Sequence, residues 1–254
     1  MNNDVLMMLQ DPYTKDELQF SNGVLMNKIS GRTFLYENGY YSFLEEGDLE
    51  GNNREYYGLY DIIAWCYNIS TKIYFFFKFG NEYKVRSEYF KEISIKDGDK
   101  VLEISIGTGD NLPYLNGNSR FFGIDISKGM LKMAKKHLKK GKIPAYLFRC
   151  DAEKLPFKDN TFDVVYHVGG LNFFKDKQKA INEMIRVAKP GTKIMIAETK
   201  ELVKNIHQRN PFFREYYQNT DVAYAPVNFV PQEMEDINIV NQGLFCYMTF
   251  RKPI

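Results

Sequence analysis

The chain has 254 residues, 44% of them hydrophobic and 26% charged, and its twenty Phe and eighteen Tyr supply enough apolar surface to exclude wholesale disorder. Three widely spaced cysteines, Cys66, Cys150 and Cys246, exclude a disulfide-stapled secreted scaffold and fit a reducing compartment. A net charge of +2 does not by itself point to a nucleic-acid or membrane partner.

Along the chain, the first ten residues carry Asp4 and lack a basic start before an apolar run, so no secretory signal is expected. Residues 1–46 hold the turn signals Asp11-Pro12, Asn22-Gly23, Ser30-Gly31 and Asn38-Gly39 with short β-type runs between them, which predicts a small β-hairpin unit. So few strands bury little, so the unit is expected to pack on the rest of the chain. A polar bridge runs from Glu45 to Asn53. The aromatic segment Glu55–Phe79 reads as helical and apolar on nearly every face, but Asp61, Asn68, Lys72 and Lys78 make it a poor membrane span. Val85, Tyr89, Phe90 and Ile93 outline a further amphipathic helix.

From Lys100 onward strand and helix patterns alternate. Strands are expected at 101–104, 121–125, 146–149, 162–166 and 193–197. Ser127 is placed to cap a helix whose Met130, Leu131, Ala134 and Leu138 share a face, and Asp176 to cap one built on Ile181, Met184, Ile185 and Ala188. This alternation predicts a mostly parallel α/β sheet, and residues 237–251, folded about Gln242-Gly243, add an antiparallel hairpin to it.

The first turn of that sheet is Glu103-Ile104-Ser105-Ile106-Gly107-Thr108-Gly109-Asp110-Asn111, expected to lead from a strand into a helix. Ligands bind beyond the carboxyl ends of strands in such sheets, and glycines there let backbone approach a ligand closely. Neither register of a dinucleotide Gly-x-Gly-x-x-Gly fits, because Leu112, Ser105 and Asp110 occupy positions that need glycine, and no Gly-Lys-Ser/Thr follows for a phosphate loop. The pattern suits a cofactor without phosphate, with Glu103 near a cationic amino group. Asp125 ends the second strand, where a carboxylate can accept both hydroxyls of a ribose. Asp151 follows the third strand, where an exposed acid can accept from an exocyclic amine. One such acid is more often a helix cap or a solvated loop residue; three at successive strand ends make a site.

The segments 101–109, Asp151-Ala152-Glu153-Lys154-Leu155-Pro156-Phe157, Phe162-Asp163-Val164-Val165 and Arg186-Val187-Ala188-Lys189-Pro190-Gly191 resemble the class I S-adenosylmethionine-dependent methyltransferases. The likeness is greatest to the branch of the ubiquinone and menaquinone biosynthesis C-methyltransferases. It implies a Rossmann-like, mostly parallel seven-stranded sheet with helices on both faces, filling residues 55–254 with an N-terminal helical cover. It implies S-adenosylmethionine as cofactor, held by Glu103, Ser105, Gly107, Thr108, Gly109, Asn111, Asp125, Ile126, Met130, Asp151, Ala152 and His167. Ser105 stands where the family usually has glycine. Residues 11–14, 31–36 and 38–40 are similar to a small zinc-ribbon-like domain, but no Cys precedes Cys66 and no His precedes His137, so a metal-free version of that unit is expected.

Methyl transfer from a sulfonium asks the protein mainly to align the nucleophile and exclude water. His167, expected just after the fourth strand, is the candidate general base, and Tyr60 and Asn172 are candidates for the acceptor pocket. His207 reads as a surface residue and His137 as structural. Lys135, Lys136, Lys139, Lys140 and Lys142 read as a solvated helix face, because no aromatic residue interleaves them. The aromatic segments 56–79 and 211–224 favour a small apolar or aromatic acceptor. The expected protein is thus a cytoplasmic small-molecule methyltransferase, with no stable membrane insertion. The alternatives are an RNA methyltransferase, disfavoured by near-neutral charge, and a non-catalytic binder of the cofactor.

Overall fold

The computed structural model describes residues 2–45, 48, 86–87, 90–115, 118–171, 174–199, 225–242 and 245–254. Five parallel strands form its centre: β5 (Lys100–Ile104), β6 (Arg120–Asp125), β7 (Ala145–Arg149), β8 (Val164–Val168) and β9 (Lys193–Thr199). The C-terminal hairpin, β10 (Glu235–Gln242) and β11 (Phe245–Arg251), joins them through β11, which runs antiparallel to β9. These seven strands lie in the order β7-β6-β5-β8-β9-β11-β10. The order reverses beside β5, and in open α/β sheets ligands bind beyond the carboxyl ends of the strands at such a point.

The N-terminal strands β1 (Gln19–Ser21), β2 (Val24–Met26), β3 (Thr33–Glu37) and β4 (Tyr40–Ser42) do not stand apart. β4 pairs in parallel with β7, Tyr41 opposite Phe148 and Ser42 opposite Arg149, so the same sheet continues to eleven strands. The expected dependence of this unit on the rest thus takes the form of shared hydrogen bonds and a shared core. Leu25, Phe34, Tyr41 and Phe43 bury with Phe122, Phe148 and Phe157 in one cluster.

Strand periodicity divides the core between two helices. Leu102 and Ile104 of β5 face helix α3 (Lys177–Val187; α1, Asn3–Leu6, is a single N-terminal turn), with Ala180, Ile181, Met184 and Val187. Val101 and Tyr166 face helix α2 (Lys128–Gly141), with Leu131, Ala134 and Leu138. Both helices begin as expected. The Ser127 hydroxyl accepts from the Met130 N–H, and the Asp176 carboxylate from the Lys179 N–H. Lys252 Nζ donates to the carbonyls of Ile185 (2.9 Å) and Ala188 (2.8 Å), setting a cation on the C-terminus of α3.

Two expectations need correction. The fourth strand begins at Val164 rather than at 162, because the Asp163 carboxylate accepts the Lys100 N–H (2.9 Å) at the start of β5 and pins the register there. The motif turn is followed by a 3-10 turn, Leu112–Tyr114, rather than a full helix; Pro113 removes a backbone donor just where a helix would propagate. The expected helices within 55–79 and the aromatic segment 211–224 lie outside the described residues, as do Tyr60, Asn172 and His207; of the further amphipathic helix, Val85 and Tyr89 also lie outside them, and Arg86, Ser87 and Phe90 are helical.

In the N-terminal unit, where the sequence predicts a metal-free version of a zinc-ribbon-like fold, two turns are tied together by side chains. Asn27 Nδ2 donates to Asp11 Oδ2 (2.7 Å) and Thr14 Oγ1 (2.9 Å) and lies 3.1 Å from Asp16 Oδ2, while Asn27 Oδ1 accepts the N–H groups of Ile29 and Ser30. Arg32 pairs with Asp11 at 3.0 Å. Burial alone would raise the Asp11 carboxyl, but the bonds from Asn27, the Tyr13 N–H and Arg32 outweigh it and hold it below its ordinary value. Among the described residues no group of His, Cys, Asp and Glu is placed to hold a metal ion. Asn27→Ala leaves the buried Asp11 carboxylate short of a donor, and is expected to cost about 3 kcal/mol, or roughly 6–12 °C in Tm. Thermal melts with and without chelator should show that loss equally in both.

Candidate active site

The residues at the strand ends are bound to one another before any ligand is considered. Ile106 N–H donates to the Ile124 carbonyl (2.8 Å) and Gly107 N–H to Asp125 Oδ2 (2.8 Å), so the loop after β5 is stitched to the end of β6. Asp125 Oδ1 also accepts the Ser127 N–H at 2.9 Å, and Asp125 is only 8% exposed. A strand-end acid facing an open cleft would lack internal partners; Asp125 has two backbone partners instead. The ribose role and the local capping role are not exclusive, since a carboxylate oxygen can accept more than one hydrogen bond.

The loop itself alternates positive φ angles: Ser105 at 56°, Gly107 at 56° and Gly109 at 77°. Gly107 has open space where a side chain would begin, whereas a Cβ on Gly109 would press on Leu138 at 3.3 Å. Ser105 holds a left-handed conformation that favours glycine, which accounts for the family preference at this position. Ser105→Gly is expected to relieve about 1 kcal/mol of strain while adding a little less than that in unfolded-chain entropy, so Tm should stay or rise slightly. Ser105→Val should lower it, and melts of both variants check the pair.

Glu103 is fully buried at the centre of a polar chain. Its Oε1 accepts from Asn111 Nδ2 (2.6 Å) and its Oε2 from the Tyr166 hydroxyl (2.9 Å), while the buried Arg86 donates to Asn111 Oδ1. Burial pushes the carboxyl up to about 8, against the bonds from Asn111 and Tyr166 and the charge of Arg86. Thr108 is buried; its hydroxyl donates to Asp110 (2.8 Å) and its carbonyl lies 3.1 Å from His137 Nδ1. The structural role expected for His137 thus has a place, on the outside of the motif loop.

On the next strands, Ile126 is half-buried, Met130 is buried in the first turn of α2, and Arg149 Nε donates to the Ile126 carbonyl at 3.1 Å. Asp151 is half-buried rather than exposed. Its Oδ1 accepts the Glu153 N–H (2.9 Å), and burial raises its carboxyl despite that bond and the nearby Lys154 and Lys179. Ala152 is buried beside it.

His167 requires the largest correction. With β8 running to Val168, it lies inside the strand, opposite Ile104 and Ile196, and is 0% exposed. Its Nδ1 lies 3.0 Å from the Ile104 carbonyl and its Nε2 3.3 Å from Glu198 Oε1. Both ring nitrogens face protein acceptors and the ring is covered, so His167 does not occupy the loop position after the fourth strand at which a general base is expected. Glu198 in turn accepts the N–H groups of Gly170 (3.3 Å) and Leu171 (2.7 Å), fixing the loop after β8.

Sequence reasoning missed Tyr166, Arg86, Glu198 and Arg149. A tyrosine and an arginine in otherwise apolar strand patterns were the only local signals for two of them. A groove of about 560 Å3 lies elsewhere, between α3 and residues 228–233, and shares none of the strand-end residues.

A methyltransferase domain family matches residues 102–196, the stretch from β5 to β9. The demethylmenaquinone methyltransferase of Lactiplantibacillus plantarum is 33% identical over 161 residues, covering 59% of this chain and 67% of that protein. The ubiquinone/menaquinone biosynthesis C-methyltransferase UbiE of Burkholderia mallei is 40% identical over 112 residues, but the chain spans less than half of its length, 46%. Among solved structures, the phosphoethanolamine N-methyltransferase 2 of Haemonchus contortus, in complex with phosphomonomethylethanolamine and S-adenosylhomocysteine, shares the fold. Its TM-score is 0.56 at 18% identity, over 67% of this chain and 53% of that one. The identity to the Lactiplantibacillus enzyme, over two thirds of its length, shows that the chain belongs to the class I S-adenosylmethionine-dependent methyltransferases, in the branch of the ubiquinone and menaquinone C-methyltransferases, with S-adenosylmethionine as its cofactor.

Proposed function

We propose that the protein methylates a small apolar or aromatic acceptor of the quinol type. The observation that carries this is the likeness to demethylmenaquinone and ubiquinone/menaquinone C-methyltransferases across the strand-end segments. The residues present fit the cofactor. Gly107 leaves an open face where a Cβ would stand, and the carboxylates of Glu103, Asp125 and Asp151 occupy the ends of three neighbouring strands. Glu103 with Asn111 would receive the amino-acid end, the loop Ser105–Gly109 would lie along the chain beyond it, Asp125 with Ile126 and Met130 would hold the ribose, and Asp151 with Ala152 the adenine. Bound there, the cofactor supplies a methyl group already activated on a sulfonium. Binding and alignment are then the protein's main contributions. The loop after β8, held through Glu198, would border the acceptor in this reading.

Incubation with methyl-labelled S-adenosylmethionine and a panel holding a reduced naphthoquinone, a catechol and bulk RNA tests the reading. Label is expected in the naphthoquinol. Label in RNA alone, or tight cofactor binding with no transfer to either aromatic acceptor, would overturn it.

A further inference from the structure

Helix α2 and its connection to β7 carry Lys128, Lys132, Lys135, Lys136, Lys139, Lys140 and Lys142, with no Asp or Glu between residues 128 and 142. All seven are exposed. Without them the chain would have a net charge of −5 rather than +2, so the cationic character of the protein is concentrated on this one element. Among the described residues none of the seven forms an ion pair; Lys135 alone is tied, its Nζ donating to the Asn38 carbonyl at 3.1 Å. Spacings of three and four residues set Lys128, Lys132, Lys135 and Lys139 in one stripe along the helix. The bond from Lys135 to the β3–β4 turn shows that this stripe runs on the flank nearest the N-terminal strands. Gly39 permits the approach, since a Cβ there would meet the Lys135 stem at 2.5 Å.

The hairpin beside that stripe carries exposed aliphatic side chains on the same side of the sheet, among polar neighbours that include Thr33 and Glu37. Tyr40 buries with α2, and its cross-strand partner is Glu37, so Leu35, two residues earlier, faces the α2 side as well. Val24 stands opposite Leu35, and Met26 is two residues along from Val24. Leu35 is 55% exposed and Met26 37% exposed. One side of the molecule therefore presents a row of ammonium groups without ion-pair partners among the described residues, next to exposed aliphatic side chains.

We infer that α2 and the adjoining β2–β3 face form a docking surface for the anionic face of a lipid bilayer. Ammonium groups on long stems meet lipid phosphates while their aliphatic parts and the neighbouring Leu35 and Met26 enter the headgroup layer. A nucleic acid fits less well, because no aromatic ring interleaves the lysines to stack on bases. The inference goes beyond the methyl-transfer reading and does not rest on it. Nor does it conflict with the absence, among the described residues, of a helix long and apolar enough to cross a membrane.

Co-sedimentation of the full chain with vesicles tests it. Vesicles of phosphatidylcholine doped with phosphatidylglycerol should bind the protein about tenfold or more tightly than phosphatidylcholine alone, and about 0.5 M salt should remove most of the difference. The variant Lys128→Gln, Lys132→Gln, Lys136→Gln, Lys139→Gln should lose at least about tenfold of the anionic-vesicle affinity while keeping its melting temperature and its affinity for S-adenosylhomocysteine. Met26→Ser with Leu35→Ser should weaken binding by about threefold to tenfold at both salt concentrations, since that contribution is not screened. Equal binding to both vesicle types, no binding to either, or an unchanged lysine variant overturns the proposal. Tighter binding to duplex or single-stranded nucleic acid than to anionic vesicles at equal salt would also overturn it, by assigning the lysines elsewhere.

Discussion

Asp125→Ala is expected to weaken S-adenosylhomocysteine binding at least a hundredfold and, in the same protein, to lower the melting temperature of the ligand-free enzyme. The affinity loss follows if the carboxylate receives two ribose hydroxyls, each in a charge-assisted bond of about 1.5–3 kcal/mol, so that roughly 3 kcal/mol or more disappears with it. The stability loss follows from bonds the structure already contains. Oδ2 accepts the Gly107 N–H and Oδ1 the Ser127 N–H, and the side chain is nearly covered, so removing it strips partners from two amides and unties the motif loop from β6. That should cost about 1–3 kcal/mol, or several degrees in Tm. Asp125→Asn keeps one acceptor oxygen, can therefore preserve only one of the backbone bonds well, and should fall between wild type and Ala in both measurements. Calorimetry and thermal melts on the two variants separate the contributions. A lowered Tm with affinity changed by less than about threefold would leave Asp125 as a loop tie and remove it from the cofactor site.

What could be read from the sequence was what is local. The alternation of strands and helices, the caps Ser127 and Asp176, and three acids at successive strand ends are patterns within windows of a few residues, and both caps stand where their pattern placed them. What escaped depends on pairs far apart in the chain. Tyr166 reaches Glu103 across 63 positions, and His167 meets the Ile104 carbonyl across the same separation, because β8 lies beside β5 in space. The start of β8 is not legible locally because Asp163 reads as one more strand residue; its role is to accept the first amide of a strand 63 residues earlier. That shift carries His167 from the loop position expected for it into the core. Similarly, nothing local distinguishes β4 as a parallel partner of β7, since the match of Tyr41 to Phe148 is made only when the sheet assembles.

Glu103 gives the other large expected effect, in opposite directions for stability and for ligand binding. Its carboxyl is raised from 4.5 to about 8 by burial, so the empty folded protein holds a proton there that the unfolded chain releases. The stability this contributes is fully present below about pH 4.5 and is lost as pH rises through about 8, at a slope of at most about 1.4 kcal/mol per pH unit. Cofactor binding runs the other way. Asn111 and Tyr166 already direct N–H and O–H donors at the two carboxylate oxygens, and a cationic amino group brought beside them favours the ionised form further. Below about pH 8 the proton must leave as the ligand arrives, so affinity should rise with pH by up to about tenfold per unit and level off above that value. Glu103→Gln titrates nowhere in this range. It should flatten both profiles relative to wild type, bind the cofactor more weakly at the alkaline end, and retain the fold because the amide oxygen still accepts one of the two bonds. Calorimetry in buffers of different ionisation enthalpy counts the released proton directly, and melts across the same pH series report the stability slope. A wild-type affinity that does not change between about pH 6 and about 8, or one whose pH dependence survives in Glu103→Gln, would show that Glu103 does not receive the charged end of the ligand.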